Sequence, residues 1–580
     1  MKQNIILNFF KKNKLRYFVG FIFMLASSYI QTLFPKVLGN TIDILKQNNF
    51  NEKLVKTNIF YIILIALCTF VSTYIWRNMI MGGGRKLENH IREKLFDHFQ
   101  KLSPEFYNNQ KTGNLIAYAI NDISAVRMTF GPATAMSING FVICVSSIYS
   151  MVTDVSLKLT LMCLIPIPFI VILMLRISKL IQQRFRKVQE SFADISDRVQ
   201  ENINGIRVIK AYVQEDAEVK KFEKLNDKMM NANLKMVRLS SALSPIIELS
   251  FTISFVANLI IGGNMVLKGS VSLGDFVAFN TYIAMIMSPI MSIGRVIVVI
   301  QRGMASLKRL NKIFIVKPSV VDGKAMINKS VDGDIKINNL SFTYPGSNKE
   351  VLKNINLNIK KGSTIGIVGK TGSGKTTLIN LILKMYNVEN NKIILADTDI
   401  NDYTLEALRT DVGYVPQDNF LFSASIKDNI KFFKNIYSDK EVENASKASC
   451  IYESIVELPN GFDTILGERG VNISGGQKQR VSIARALVKN PSLLILDDSL
   501  SAVDAVTETK ILKNLRNLRA EKTSIIIAHR LSAVQAADEI IVLNEGTIQE
   551  RGTHDELLSK GGIYYDIYKE QFKNETTEAS

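Results

Sequence analysis

The chain has 580 residues, too many for one ordinary hydrophobic core, so two or more domains are expected. Its formal charge of +18 invites a nucleic-acid partner, but the basic residues lie between long apolar runs and no DNA- or RNA-binding motif is present. The charge is that of a membrane protein with Lys and Arg gathered in its cytoplasmic loops, and no nucleic-acid partner is expected. Of the four cysteines, Cys68, Cys144 and Cys163 lie in apolar runs and Cys450 stands alone, which suggests neither a metal site nor a disulfide framework.

A helix needs about 20 mostly apolar residues to cross a bilayer core. Six segments qualify: residues 17–38, 59–81, 130–152, 157–177, 246–267 and 276–300. The first follows Lys11, Lys12, Lys14 and Arg16, but it is long enough to span and lacks a clear cleavage site, so it reads as a span and not as a signal peptide. Pro35, Pro166, Pro168, Pro245 and Pro289 fall in or beside these runs, where neighbouring helices can satisfy the freed carbonyls. The loops after the second and fourth spans are long and rich in Lys and Arg, whereas those after the third and fifth are a few residues long. The positive-inside rule therefore places the N-terminus, both long loops and the C-terminal part in the cytoplasm.

Residues 86–102 and 182–236 keep apolar residues at helical spacing with few Gly or Pro. The spans are thus expected to run on into the cytoplasm as helices, turning near residues 112–122 and 211–218. Spacing alone leaves open whether these are surface helices or elements that dock on the C-terminal domain. Asn139, Glu248, Asn258 and Arg295 are polar within spans, each a candidate either for substrate contact or for an interhelical bond.

A polar connector, residues 316–333, precedes an α/β pattern. There the run Gly369, Lys370, Thr371, Gly372, Ser373, Gly374, Lys375, Thr376 satisfies the P-loop pattern in full, after an apolar strand and before a helix. The glycines let backbone N–H groups curl round phosphates, Lys375 reaches the β- and γ-phosphates, and the Thr376 hydroxyl is placed for Mg²⁺. Thr377 opens the following helix. Asp497 ends a second apolar strand and reads as the magnesium-facing Walker B carboxylate.

Between these two elements lie Ile473, Ser474, Gly475, Gly476 and Gln477, followed by an amphipathic helix. This run resembles the ABC signature motif, usually Leu-Ser-Gly-Gly-Gln, with Ile for Leu. With the P-loop and Walker B in this order, and six spans in front, nearly the whole chain is similar to the ABC exporter family. The resemblance implies an α-helical membrane domain of six long helices fused to an α/β P-loop ATP-binding cassette. The expected division is membrane domain 1–315, linker 316–333, cassette 334–572 and polar tail 573–580.

The resemblance also implies roles. Tyr344 stacks on adenine, Gln417 senses Mg²⁺ and the attacking water, Asp504 marks the D-loop, and His529 contacts the γ-phosphate. The run Gly467, Glu468, Arg469, Gly470 resembles the loop that touches membrane-domain loops in exporters. Two cassettes then meet head to tail, and the P-loop of one and the signature of the other enclose each ATP. One chain holds one of each, so a second half is expected.

One residue departs from the family pattern. The residue after the Walker B aspartate is usually a glutamate that polarises the attacking water, and here it is Asp498. Its side chain is shorter by one carbon–carbon bond of about 1.5 Å, and a misplacement of order 1 Å can cost roughly 10²-fold in rate. The chain's own site is therefore expected to bind ATP but hydrolyse it slowly, while its signature is intact. That asymmetry resembles one subunit of the heterodimeric bacterial exporters, whose partner carries the glutamate; the alternative is a homodimer with two slow sites. The resulting expectation is an ATP-dependent exporter half in the cytoplasmic (inner) membrane, using ATP and Mg²⁺ and moving small amphipathic drugs or lipids. A peptide exporter and a mainly regulatory ATP-binding subunit are the other readings, whereas six spans exclude a soluble ATPase of DNA repair.

Overall fold

The computed structural model describes residues 5–47, 51–323 and 325–578. The chain divides into two compact units. One is the chain up to Gln100 together with Thr112–Val316, and the other is Lys101–Lys111 together with the chain from Lys317 on.

The first unit is helical. Among the described residues, six stretches are long and apolar enough to cross a membrane: Lys14–Leu45, Glu52–Lys101, Thr112–Val155, Leu157–Asn204, Glu215–Leu267 and Leu273–Ile315. Each contains one of the expected spans, and each exceeds the roughly 20 residues that a bilayer core requires. Much of the excess lies where the charged, helically periodic loops were expected to extend the spans, and the sixth stretch also runs on past its span to Ile315. Asp122 is buried in one such extension and accepts from Arg309 Nε at 2.9 Å and Ser306 Oγ at 2.8 Å. Glu88, in another, is paired with Arg127 at 3.0 Å and Arg92 at 2.9 Å. Both carboxylates are buried with cationic partners, as buried charges must be.

The second cytoplasmic turn falls at Tyr212–Gln214, within the expected region. The first does not fall at residues 112–122, which are helical. The long helix ends at Lys101, and a short helix Pro104–Asn108 makes the tip. The reason is local: Ser103 precedes a proline, which disfavours helical backbone, and it is extended at φ −77°, ψ 158°.

Near their outer ends the first and sixth helices touch backbone to backbone. A Cβ on Gly274 would sit 2.0 Å from the Gly39 carbonyl oxygen, so only glycine fits. Asp43 accepts there from the Gly274 N–H at 2.7 Å. Two of the polar span residues are used between helices. Asn139 accepts from Ser28 Oγ at 2.6 Å, and the fully buried Asn258 donates to Asn280 at 2.8 Å. Glu248 and Arg295 are exposed in this single chain.

The second unit is α/β. Its strands are β1 (Ile335–Thr343), β2 (Glu350–Ile359), β3 (Thr364–Val368), β4 (Ile393–Leu395), β5 (Thr398–Asp399), β6 (Val412–Val415), β7 (Leu493–Asp497), β8 (Thr523–Ile527), β9 (Glu539–Asn544) and β10 (Thr547–Gly552). They form a four-stranded antiparallel sheet, β2-β1-β4-β5, and a six-stranded sheet, β10-β9-β3-β8-β7-β6. In the larger sheet every pairing but β9–β10 is parallel. Strands β7 and β8 are buried throughout, as parallel strands covered on both faces must be. A hydrophobic cluster from Leu421 to Val488 holds the helices around the signature.

The tip segment Lys101–Lys111 packs within this unit. Asn108 donates to the Tyr386 hydroxyl at 3.0 Å, and Ser103 Oγ accepts from the Val320 N–H at 3.0 Å. Of the expected tail, residues 573–578 continue the helix Ile563–Glu578, and 579–580 lie outside the described residues, as does residue 324 of the expected linker.

Candidate nucleotide site

Parallel register brings the site together. Ile367 of β3 pairs with Ile527 of β8, Asp497 of β7 with the same Ile527, and Val415 of β6 with Leu496 of β7. The residues just past these strands (Gly369, His529, Asp498 and Gln417) therefore emerge at one edge, the carboxyl ends of the strands, where open α/β sheets bind ligands. A cleft of about 260 Å³ there is lined by Gly372, Gly374, Lys375, Thr376, Thr377, Gln417, Asp497, Asp498 and His529, with Thr371, Val351 and Ile527.

The P-loop has its glycines where other residues would fail. Gly369 has φ 152°, and a Cβ on it would lie 2.0 Å from the Leu543 carbonyl oxygen. Gly374 has φ 104° and starts the helix Lys375–Ile382. The Lys375 ammonium donates to the carbonyl oxygens of Gly369 (2.7 Å) and Lys370 (3.0 Å), folding the loop over its own lysine. Burial lowers the Lys375 pKa, and the carboxylates of Asp497 and Asp498 oppose that shift. The Ser373 hydroxyl is buried and has no protein partner.

Asp497 is 1 % exposed, and burial raises its pKa while Thr376 and Lys375 pull it back. Its Oδ1 is 3.4 Å from Thr376 Oγ1, and its buried Oδ2 has no hydrogen-bond partner among the described residues. An orphaned carboxylate oxygen beside a hydroxyl, both facing the phosphate loop, is a donor set that fits a hard, oxygen-loving dication such as Mg²⁺. The Tyr414 hydroxyl, on β6, lies against Asp497, and burial together with that carboxylate raises its pKa. Sequence reasoning missed Tyr414; its position one residue before the end of the strand leading to Gln417 is the signal for it.

Asp498 has φ 46°, a left-handed conformation that Asp tolerates better than most residues. Its backbone is pinned: the N–H donates to the Ile527 carbonyl at 2.9 Å, and the Asp498 carbonyl accepts from Ser501 Oγ at 3.0 Å. Its Oδ2 accepts from Gln417 Nε2 at 3.3 Å. Tyr344 meets the P-loop helix at Thr377, with its hydroxyl 3.0 Å from Thr377 Oγ1 and its ring edge-on to Tyr386 at 5.1 Å.

The signature residues are elsewhere. Ser474, Gly475, Gly476 and Asp504 line a separate cleft of about 360 Å³ with Arg480, Ala502 and Val503. Ser474 and Gln477 form a reciprocal capping box: Ser474 Oγ accepts from the Gln477 N–H, and Gln477 Oε1 accepts from the Ser474 N–H at 2.9 Å. A Cβ on Gly476 would lie 2.7 Å from the Ala502 carbonyl oxygen. Gln479, which sequence reasoning did not single out, joins this helix to the next loop: its Oε1 accepts from the Ala502 N–H at 2.9 Å, and its Nε2 donates to Ser501 at 3.2 Å. Asp504 caps the helix Ala505–Leu518 by accepting from the Thr507 N–H at 2.9 Å, and this bond lowers its pKa. The signature helix starts at Gly475, and Gly475 and Gly476 line this cleft, so a helix start of the kind that binds anions borders it.

A phosphate-binding parallel sheet in a chain with six membrane-crossing helices defines an ATP-driven membrane transporter. The chain belongs to the ABC transporter family: residues 17–290 match the ABC transporter transmembrane region and residues 352–501 the ABC transporter model. It is 40% identical over 565 residues, 97% of this chain and 96% of the relative, to the probable multidrug resistance ABC transporter ATP-binding/permease protein YheI of Bacillus subtilis (strain 168). It is 34% identical to the multidrug resistance-like ATP-binding protein MdlA of Escherichia coli (strain K12), covering 97% of this chain and 95% of that one. The ATP-dependent lipid A-core flippase of Syntrophus aciditrophicus (strain SB) is 33% identical, covering 90% and 87%. Among solved structures, a bacterial Atm1-family ABC exporter with ATP bound superposes with a TM-score of 0.80 at 25% identity, covering 96% of this chain and 99% of that one. The protein is thus a multi-pass membrane transport ATPase that binds ATP and couples its use to export.

Proposed function

We propose that this chain is one half of an exporter of amphipathic compounds, drugs or lipids, in the cytoplasmic membrane, and that its other half is a different chain. The substrate class is supported by the names of its relatives, multidrug transporters and a lipid flippase. The observation that carries the asymmetry is the pinned Asp498. Its backbone is held on Ile527 and, among the described residues, its carboxylate reaches Gln417 alone, at 3.3 Å, so a backbone shift that made up the missing methylene would break the Ile527 bond.

In this reading the cleft at the P-loop binds ATP. Lys375 and the P-loop N–H groups hold the phosphates, Tyr344 the adenine, and His529 the γ-phosphate. Thr376, Asp497 and Gln417 would hold Mg²⁺, which neutralises phosphate charge when bound. Asp498 orients water poorly, so this site turns over slowly. The signature Ser474, Gly475, Gly476 and Gln477, with Asp504, completes the site of a partner whose Walker B motif ends in glutamate. Closure of the two cassettes on ATP then drives the helices from inward- to outward-facing.

The test is to purify the chain alone, reconstitute it in lipid, and measure Mg²⁺-dependent ATPase activity. Slow turnover with intact ATP binding is expected. Robust, transport-coupled hydrolysis by the chain alone would sink the two-chain reading.

A further inference from the structure

The helix Ile563–Glu578 is anchored at its start and middle. Glu550 of β10 accepts from the N–H groups of Ile563 (2.6 Å) and Tyr564 (3.0 Å). Tyr564 is fully buried, and Ile567 and Tyr568 pack on the same core as Ala528, Leu531 and Val534. Positions 564, 567, 568 and 571 recur at helical spacing, so Gln571 falls on the stripe that faces this core. A glutamine on a core-facing stripe needs hydrogen-bond partners.

Its partners are the backbone on either side of Arg530. Gln571 Nε2 donates to the His529 carbonyl at 2.6 Å, and its Oε1 accepts from the Leu531 N–H at 3.0 Å. Only this amide orientation matches a donor to an acceptor at both ends. Beyond β8 the strand ladder ends with the Ala528 N–H on the Ile367 carbonyl at 3.3 Å. The His529 carbonyl and the Leu531 N–H have no strand to pair with, and one side chain satisfies both. On the opposite side Arg530 Nη1 donates to the Val503 carbonyl at 3.3 Å, beside the D-loop Asp504. The segment is thus held from the C-terminal helix and tied to the loop that lines the signature cleft.

We infer that Gln571 is a positioning residue for ATP hydrolysis: it fixes the backbone of residues 529–531 so that the exposed His529 ring stays in the nucleotide cleft. This rests on the reading of His529 as the γ-phosphate contact. Gln571 touches neither nucleotide nor His529's ring, and it acts only through the main chain.

The test uses the full chain in lipid nanodiscs and single-turnover hydrolysis of radiolabelled ATP. Gln571→Met keeps length and apolar packing but removes both bonds. It is expected to slow hydrolysis about tenfold, the worth of one to two lost hydrogen bonds, and to leave the half-saturating ATP concentration unchanged. Gln571→Glu keeps the Leu531 bond but sets an oxygen against the His529 carbonyl, and should slow the reaction at least as far. In a His529→Ala background Gln571→Met should add no further loss. A wild-type rate for Gln571→Met beside a slow His529→Ala, or a full extra loss in the double variant, overturns the proposal. A wild-type rate for His529→Ala instead overturns the reading of His529 itself.

Discussion

The two clefts of the cassette are built by opposite means. The P-loop cleft draws side chains from the ends of four parallel strands and buries them in charged, partly unsatisfied positions. Lys375 and Asp497 both carry burial-shifted pKa values, and Asp497 Oδ2 and Ser373 Oγ have no protein partner. The signature cleft is a helix start whose side chains serve the protein itself: Ser474 and Gln477 cap each other, and Gln479 holds the next loop. The first cleft is a receptor that is costly to leave empty. The second has its capping side chains satisfied within the protein, and it offers a ligand held elsewhere a helix start and the Arg480 side chain that lines the cleft. That difference is the physical content of calling the chain a half.

The sharpest way to break the contrast is to remove the charge in the first cleft. Lys375→Ala should lower ATP affinity and hydrolysis at this chain's own cleft by roughly 10²-fold or more, since it deletes a preorganised cation facing the phosphates. Equilibrium binding of a fluorescent ATP analogue checks it, and the signature's service to a partner should survive.

Asp498→Glu tests reach. With the backbone pinned on Ile527, the added methylene should raise single-turnover hydrolysis by up to about 10²-fold. An unchanged rate would mean that more than reach is missing.

The second cleft is tested by Gly476→Ala. Its Cβ would meet the Ala502 carbonyl at 2.7 Å, a clash worth about 1–3 kcal/mol. ATP binding by this chain alone should not change, while hydrolysis in the two-half assembly should fall about tenfold. A fall in both would show that the clefts are not independent.

The smallest effect belongs to Tyr344→Phe. It keeps the ring and loses only the bond to Thr377, so ATP affinity should weaken by about 0.5–1.5 kcal/mol at most, readable by calorimetry.

Much of this was legible in the primary structure because the signals are local. Six apolar runs of bilayer length are six helices, since hydrogen bonds in lipid must be satisfied within the segment. The P-loop needs its glycines in a row, and the capping box needs Ser474 and Gln477 three apart, so both are written in consecutive residues. Chain order likewise settled that one P-loop and one signature are present, and that aspartate stands at 498.

Tertiary structure decided what spacing could not. It placed the first cytoplasmic tip at Pro104–Asn108 instead of 112–122, because the residue before Pro104 is driven out of helical backbone and the long helix stops at Lys101. It gave Asn139 and Asn258, candidates for substrate contact or for an interhelical bond, the partners Ser28 and Asn280 on other helices. It brought Tyr414 beside Asp497, Gln479 beside Ala502 and Gln571 beside His529, pairs separated by 83, 23 and 42 positions, whose partners only the packing of distant strands and helices could supply. A motif is readable when its atoms meet across one turn of chain; a hydrogen bond between distant elements exists only once the sheet's register and the helix's face have been chosen.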